Sequence, residues 1–252
     1  MSPLAALAVA VAGMMAGALN AVVGSGSLIT FPTLLAVGLP PVLANVSNTV
    51  GLVPGSLSAA VGYRRELDGQ RRRVVTLGAA SVAGGLIGAL LLLHLPVTVF
   101  YRVVPILLLV ACGLVAAQPR VTAWLVHRGD RHPQGGPVLW ATVFATGVYG
   151  GYFGAAQSVI LISLLAIFID DDLQRLNGVK NVLALLANGV AAIYFVATTH
   201  VSWEAAGLIA LGSVIGGQIG AGVGRRLPVD ILRAVIVVVG LVAAGVLFVR
   251  YW

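Results

Sequence analysis

The sequence is poor in charged residues, which make up 9% of its 252 positions, whereas 59% of the residues are hydrophobic. A soluble domain typically contains about 25% charged residues. So little polar side-chain surface would not cover a soluble globule of this size. The composition therefore excludes an ordinary soluble domain and predicts a protein that lies in a lipid bilayer.

Cysteine and acidic residues are also scarce. The single cysteine, Cys112, excludes a disulfide framework. The acidic residues all fall in predicted loops or at helix ends, which argues against a proton relay or a cation site inside the membrane. They are Glu66, Asp68, Asp130, Asp170, Asp171, Asp172, Glu204 and Asp230. The sequence contains neither a nucleophile–base pair nor an HExxH motif, so it predicts no enzyme, no metal site and no cofactor.

Long apolar runs make up most of the chain. A helix of roughly 20 residues crosses a hydrocarbon core of about 30 Å. In the first half the runs are 4–23, 28–37, 42–63, 74–93 and 97–117. In the second half they are 138–150, 158–169, 176–198, 203–223 and 231–249. The pattern predicts an all-α polytopic membrane protein.

The formal net charge is +7, but the basic residues cluster in short loops between the apolar runs. Such clustering reports membrane topology and is not typical of a nucleic-acid surface. We therefore predict no nucleic-acid partner. The N-terminus has neither a basic region nor a small-residue cleavage site, so the first apolar run is not interpreted as a cleaved signal.

The chain contains an internal repeat. Residues 81–89 read SVAGGLIGA, and residues 213–221 read SVIGGQIGA. The triplet LPV follows each copy, again 132 positions apart. We therefore predict one integral membrane domain with a first transmembrane repeat over 1–117, a linker over 118–136 and a second repeat over 137–252.

The arginines predict opposite orientations for the two halves. Five of them lie in the loop after the third segment of the first half, whereas the corresponding loop at 198–202 has no Lys or Arg. The next pair of loops is reversed, because 94–96 has none and its counterpart contains Arg225 and Arg226. The positive-inside rule then makes the linker cytoplasmic and both termini periplasmic in a bacterial inner membrane. Parallel repeats, with one broken helix per half, are the alternative.

Opposite orientations require an odd number of crossings in each half. Each half is therefore predicted as a broken helix hairpin, a long segment and then a short one, followed by three transmembrane helices. All Lys and Arg residues except Arg102, Lys180 and Arg250 then fall on the cytoplasmic side. Inverted-topology repeats are common in secondary transporters, which bind their substrate near the midplane where broken helices meet.

Glycine-rich breaks at corresponding positions of the two halves are the first candidate site. Ser27 is predicted to cap the short helix that follows, and free N–H groups at a helix start favour an anion. Close packing at glycine-lined helix crossings is the alternative interpretation. The candidate residues are Gly24, Ser25, Gly26 and Ser27 in the first half and Gly154, Gln157 and Ser158 in the second.

A polar cluster after each short helix is the second candidate. In the alignment of the two halves, Asn48 is predicted to correspond to Asn181. Lys180, the only lysine of the chain, takes the place of Ser47. A cation inside the membrane is costly and indicates function, here the binding of an anionic substrate. Alternatively, Lys180 snorkels to the cytoplasmic headgroups or pairs with an aspartate of 170–172, and the asparagines only bridge helices. The aspartates themselves are predicted to cap the next helix.

At these residues the chain resembles the TauE/SafE family of sulfite and organosulfur-anion transporters, also called TSUP permeases. The likeness rests on GSGSLITFPTLL at 24–35, GLPP at 38–41 and ANVSNT at 44–49, with a weaker version in the second half. Serines interrupt the glycine run that family members often have. The resemblance implies passage of sulfite, a sulfonate or a related small anion.

Residues and resemblance together predict a secondary transporter that moves a small anion by alternating access at a midplane site between the repeats. The predicted partners are a small anionic solute and the lipid bilayer, and the oligomeric state is left open between a monomer and a homo-oligomer. The alternatives are a transporter or channel for a cation or a neutral solute, and a membrane scaffold that transports nothing.

Overall fold

The computed structural model of the chain describes residues 1–22, 24–125, 136–223 and 229–251. Within these ranges the chain is helical and contains no strand. The helices are α1 (Pro3–Val22), α2 (Ser27–Ala36), α3 (Pro41–Gly62), α4 (Arg71–His94), α5 (Val97–Leu125), α6 (Gly136–Tyr152), α7 (Gln157–Phe168), α8 (Leu173–Thr198), α9 (Trp203–Val223) and α10 (Val229–Tyr251). Each predicted apolar run overlaps one helix, so the all-α prediction is confirmed.

Several of these helices are suited to cross a bilayer. In the described part of the chain, five stretches are long and apolar enough: Pro3–Ala21, Arg71–His94, Val97–Gln118, Leu173–Thr198 and Arg233–Tyr251. The helices α2 and α7 have only 10 and 12 residues. At about 1.5 Å per residue they reach roughly half of the hydrocarbon core. Both halves therefore begin with a longer helix followed by a short one.

A glycine ends the longer helix of each half. Gly24 has a φ of 88° and Gly154 a φ of 74°, a left-handed conformation that residues with a Cβ rarely adopt. The N–H of Gly24 donates to Leu19 O at 2.8 Å, and that of Gly154 donates to Tyr149 O at 3.1 Å. Both bonds reach five residues back and join the left-handed glycine to the last turns of the preceding helix. The two breaks are therefore built in the same way.

The capping predictions have opposite outcomes. The predicted cap by Ser27 is wrong, because Ser27 is already the first residue of α2 and Gly26 occupies the N-cap position without a side-chain bond. The aspartate cap is confirmed. Asp172 is the N-cap of α8, and its side chain accepts the N–H groups of Gln174 and Arg175 at 2.8 and 3.4 Å.

The two halves interlock through their helices. Helix α9 of the second half packs on α1 and α3 of the first, and α4 of the first half packs on α6 and α8 of the second. The remaining central contacts pair α3 with α8 and α5 with α10. The packing pattern is therefore the same when the halves are exchanged. The direction in which each half crosses the bilayer stays a prediction.

Equivalent serines show how the halves correspond. Ser81 Oγ in α4 donates to Leu183 O at 2.7 Å, and Ser213 Oγ in α9 donates to Gly51 O at 3.3 Å. The two donors stand 132 positions apart in the sequence, and so do the two acceptors. Each residue of α8 therefore corresponds to the residue of α3 that lies 132 positions earlier in the sequence.

Part of the predicted organisation lies outside the described residues. The predicted linker 118–136 begins inside α5, which extends to Leu125. Residues 126–135, which include Asp130, and residues 224–228, which include Arg225 and Arg226, are outside the described ranges. The division into two repeats and a linker stays a prediction.

Candidate functional site

A small polar cavity lies where the two breaks meet α3 and α8. Its volume is about 30 Å³, whereas one buried water needs roughly 10–15 Å³. The lining residues are Asn20, Gly24 and Ser27 from the first break; Phe153, Gly154, Gln157 and Ser158 from the second; and Thr49, Leu52, Ser56, Ala59, Asn181, Ala184 and Asn188 from the two helices. No charged side chain is among these lining residues.

The first break is held by Asn20 and touches the second break. Asn20 Oδ1 accepts the N–H of Gly26 at 2.7 Å, across the break between α1 and α2. A Cβ placed on Gly24 would lie 2.2 Å from Ser158 Cβ. The backbone of Gly24 therefore packs directly on the side chain of Ser158, and the two halves meet at the cavity.

The second break presents a buried amide without a partner. Gln157 begins α7 and is 1% exposed. Neither its Nε2 nor its Oε1 has a hydrogen-bond partner in the described part of the chain. The Gln157 amide packs against Gly150, where an added Cβ would lie 2.2 Å from Nε2. Since buried polar groups are nearly always hydrogen-bonded, this amide indicates a place for a ligand or water.

The helices α3 and α8 turn corresponding faces toward the cavity. Thr49 and Ser56 on α3 and Asn181 and Asn188 on α8 all line it, seven residues apart in each helix. That spacing places both members of a pair on one helix face. Asn181 Nδ2 is buried and lacks a hydrogen-bond partner among the described residues. The cavity therefore contains unpartnered donors from two elements, α7 and α8.

Lys180 is not one of the cavity's lining residues, but it contacts Asn20, which is. The residue is 1% exposed, and its Nζ lies 3.5 Å from the backbone O of Asn20. Such burial argues against snorkelling. The alternative pairing with an aspartate is also not formed, because Asp171 pairs with Arg73 and Arg175. Over the described ranges, no carboxylate lies within ion-pair distance of Lys180 Nζ.

Four other predicted site residues lie outside the cavity lining: Ser25, Gly26, Ser47 and Asn48. Ser47 Oγ accepts the N–H of Ser202 at 2.9 Å. Asn48 Oδ1 accepts the hydroxyl of Thr30, which joins α3 to α2. The contact of Asn48 joins two helices, as the alternative interpretation of the asparagines proposed. Ser25 is buried, and its Oγ has no partner in the described part of the protein.

The predicted alignment of the two polar clusters is wrong by one residue. At the offset of 132 that the equivalent serines establish, Asn48 corresponds to Lys180 and Thr49 corresponds to Asn181. The first pair contacts the broken segments, since Asn48 bonds α2 and Lys180 contacts the end of α1. The second pair lines the cavity.

Four polar lining residues were not predicted from the sequence as site residues: Asn20, Thr49, Ser56 and Asn188. Two signals point to the asparagines among them. Asn20 is the only amide residue of α1 and comes four residues before the glycine that ends the helix. Asn188 lies two turns after Asn181 on the same helix face.

The chemistry of the cavity is that of hydrogen bonding. Its polar side chains are amides and hydroxyls, which donate and accept without a change of charge. Among the described residues, no group of three His, Cys, Asp or Glu side chains is placed to hold a metal ion. The arrangement suits the binding of a small solute.

The profile of the family described as "Sulfite exporter TauE/SafE" matches residues 9–247. A probable membrane transporter protein of Haemophilus influenzae is 23% identical over 243 residues, which cover 95% of this chain and 93% of that protein. "Probable membrane transporter protein ORF9" of Sinorhizobium is 24% identical over 93% of this chain and 88% of its own length. YfcA of Escherichia coli, also named a probable membrane transporter protein, is 24% identical over 92% and 85%. No solved structure matches the chain.

These relatives and the apolar helices identify a multi-pass membrane transporter and not an enzyme. The family match includes both breaks, both polar clusters and the interlocked helices between them. The chain therefore belongs to the TauE/SafE family.

Proposed function

We propose that this transporter carries sulfite, a sulfonate or a related small organosulfur anion by alternating access through the cavity between its halves. The observation that supports this most directly is the pair of unpartnered amide donors, Gln157 Nε2 and Asn181 Nδ2, at a cavity that no carboxylate lines. Hydrogen bonds from N–H donors to an ionised oxygen are stronger than bonds between neutral groups. An oxyanion would satisfy both donors.

Lys180 supplies the positive charge in this proposal. Its ammonium group contacts the backbone of Asn20, and Asn20 also lines the cavity. An anion bound on the other side of Asn20 would be stabilised by Lys180, because charges in a buried environment are weakly screened. The ammonium group, which has no carboxylate partner among the described residues, would be stabilised in turn.

The interlocked packing supports alternating access. The first break touches the second through Gly24 and Ser158, and α4 and α9 each pack on the opposite half. A rigid-body movement of one half would therefore change both breaks together, as expected for a carrier with its site between repeats. The proposal places this carrier in a bacterial inner membrane with both termini periplasmic.

A neutral polar solute is the second candidate. The observation that favours it is the uncharged lining, in which every polar side chain is an amide or a hydroxyl. A thermal-shift screen of the purified protein distinguishes the two candidates at constant ionic strength. The ligands are sulfite, sulfate, thiosulfate, short sulfonates and uncharged polyols of similar size.

Binding to the native state raises the melting temperature by mass action. We expect at least one of the sulfur oxyanions to raise it and to cross the membrane of proteoliposomes that contain the protein. A shift and flux with polyols alone would favour the second candidate. Flux of neither class would contradict both.

Substitution of Gln157 tests the cavity itself. Gln157→Glu keeps the side-chain volume but replaces a donor with a negative charge, and a like charge beside a bound anion costs several kcal/mol. We expect anion affinity to fall by about 100-fold or more. Gln218→Glu is the matched control, because Gln218 lies outside the cavity and bonds Ser58 Oγ at 2.7 Å. Anion binding that survives in Gln157→Glu would remove Gln157 from the site.

A further inference from the structure

A second cavity, larger and mostly apolar, lies between α10 and the segment formed by α2 and the loop after it. Its volume is about 600 Å³. Pro32 and Leu35 of α2 form one wall, and Val238 and Val242 of α10 form the other. The two valines are 59% and 62% exposed, so the cavity is a groove that opens on the outer surface of the bundle. It shares no lining residue with the polar cavity.

The groove is about as long as the hydrocarbon part of one lipid leaflet is thick. Its α10 wall extends from Val238 to Arg250, which is about 18 Å at roughly 1.5 Å per residue. Half of a hydrocarbon core of about 30 Å is roughly 15 Å. A single acyl chain that enters from the surrounding leaflet therefore matches the length of the groove.

Basic and aromatic side chains close one end of the groove. Arg250 lines it, and the guanidinium carbon of Arg250 lies 5.8 Å from the centre of the Tyr251 ring. Tyr251 stacks on Tyr101 with ring centres 4.5 Å apart. Aromatic side chains with a basic residue are typical of the headgroup level of a membrane. Apolar walls that end at an arginine match the chain and the phosphate of an anionic phospholipid.

Membrane topology does not explain the basic residues at this end. Arg102 and Arg250 are exceptions to the predicted cytoplasmic placement of the positive charges. They lie at the same end of the bundle, because Tyr101 stacks on Tyr251. In the described ranges no carboxylate forms an ion pair with Arg250. A phosphate headgroup gives Arg250 an anionic partner that the described part of the chain does not provide.

We infer that the groove binds one anionic phospholipid, with an acyl chain between α10 and α2 and the phosphate on Arg250. The lipid would pack on the short helix that begins at the first break. This binding is independent of which solute the polar cavity takes.

Native mass spectrometry of the purified protein tests the inference. Phosphatidylglycerol and phosphatidylethanolamine with identical acyl chains are added in turn, and glycerol 3-phosphate serves as the free headgroup. We expect the protein to retain one phosphatidylglycerol with about fivefold preference over phosphatidylethanolamine, the effect of roughly one basic residue at an anionic surface. Arg250→Gln should abolish that preference. Arg64→Gln, which removes an exposed arginine outside the groove, should keep it.

A groove-filling variant tests the acyl chain. Val242→Trp should reduce retention of both lipids, and Val238→Phe replaces it if the first variant does not fold. Equal retention of the two lipids by the unaltered protein would overturn the inference, as would an unchanged preference in Arg250→Gln. Equal binding of glycerol 3-phosphate would assign the site to the headgroup alone and would also overturn it. The unaltered protein could instead form dimers that carry no lipid adducts and that dissociate in Val242→Trp. That outcome would overturn the inference and show that a second copy of the chain covers the groove.

Discussion

Gly24 has two roles, one in the backbone conformation of the first half and one in the contact with the second half beside the cavity. Its φ of 88° permits the break between α1 and α2. The absence of a Cβ lets Ser158, at the start of α7, approach the backbone. The same residue therefore fixes both the direction of the chain and the contact between the two breaks.

Gly24→Ala should destabilise the protein by about 2 kcal/mol or more. The left-handed conformation alone costs roughly 1–2 kcal/mol for a residue with a Cβ, and the new methyl group would overlap Ser158 Cβ at 2.2 Å. The free energy of unfolding in mixed micelles measures the loss. Gly113→Ala is the control, since nothing lies within 4 Å of a Cβ there and alanine is the better helix former. Equal stability of the two variants would contradict this account of Gly24.

Lys180 allows binding and stability to be separated. Lys180→Met removes the charge but keeps an apolar side chain of similar length. We expect anion affinity to fall by about tenfold or more, which corresponds to roughly 1.4 kcal/mol. We expect the melting temperature not to fall, because a buried ammonium that has no carboxylate partner in the described ranges carries a desolvation cost that methionine lacks. A lower melting temperature with unchanged anion affinity would show that Lys180 only supports the end of α1.

At the scale of the helices, glycines set the distance between the halves. A Cβ on Gly88 of α4 would lie 2.1 Å from Val148 O, and one on Gly220 of α9 would lie 2.5 Å from Ala18 O. Such close backbone approach is typical of small-residue contacts between membrane helices. Gly88→Ala and Gly220→Ala should each cost about 1–3 kcal/mol of unfolding free energy, the usual cost of overpacking. Gly245→Ala, in open space, should show no such loss in the same micelle assay.

The loop before α8 should make stability depend on pH. Burial on its own raises the pKa of Asp171, but the hydrogen bond and charge of Arg73, with the charge of Arg175, hold that pKa below its ordinary value. The unfolded carboxyl titrates near 3.9. The stabilisation is therefore present above that value and is lost as the pH falls through the folded pKa. The melting temperature of Asp171→Asn should fall less between about pH 6 and about pH 3 than that of the unaltered protein. Equal falls would contradict the role of this ion pair.

The helices were predictable from sequence because each is a long apolar run or a short one beside a glycine break. The face that each polar residue occupies was not predictable. Neighbouring residues of a helix point about 100° apart, so Ser47, Asn48 and Thr49 bond a loop, bond α2 and line the cavity, respectively. Their sequence cluster suggested one site. Only the packing of α3 against α8 separates the three roles.

At the scale of the whole molecule, the site belongs to neither half alone. Asn20 and Ser27 come from the first half, Gln157 and Asn181 from the second, and the contact of Gly24 with Ser158 closes the space between them. The repeat in the sequence therefore has a structural counterpart, because two similar breaks together form one cavity. In the proposed carrier, a movement of one half relative to the other would change the access to this cavity.

The orientation of the halves stays a prediction, and one pair of equivalent loop positions tests it. Asp68 and His200 stand 132 positions apart, and both are exposed. Each is replaced by cysteine in a Cys112→Ala background, which removes the chain's own buried thiol. Inverted repeats place the arginine-rich loop of Asp68 in the cytoplasm and the loop of His200 outside.

A membrane-impermeant maleimide should therefore label His200→Cys in intact cells and Asp68→Cys only after the membrane is permeabilised. Labelling of both positions from the same side would show parallel repeats. The site would then lie between two halves that cross the membrane in the same direction. The α1–α9 and α4–α6 contacts would remain, but the pseudo-two-fold axis would run along the membrane normal and the carrier would resemble transporters built from parallel repeats.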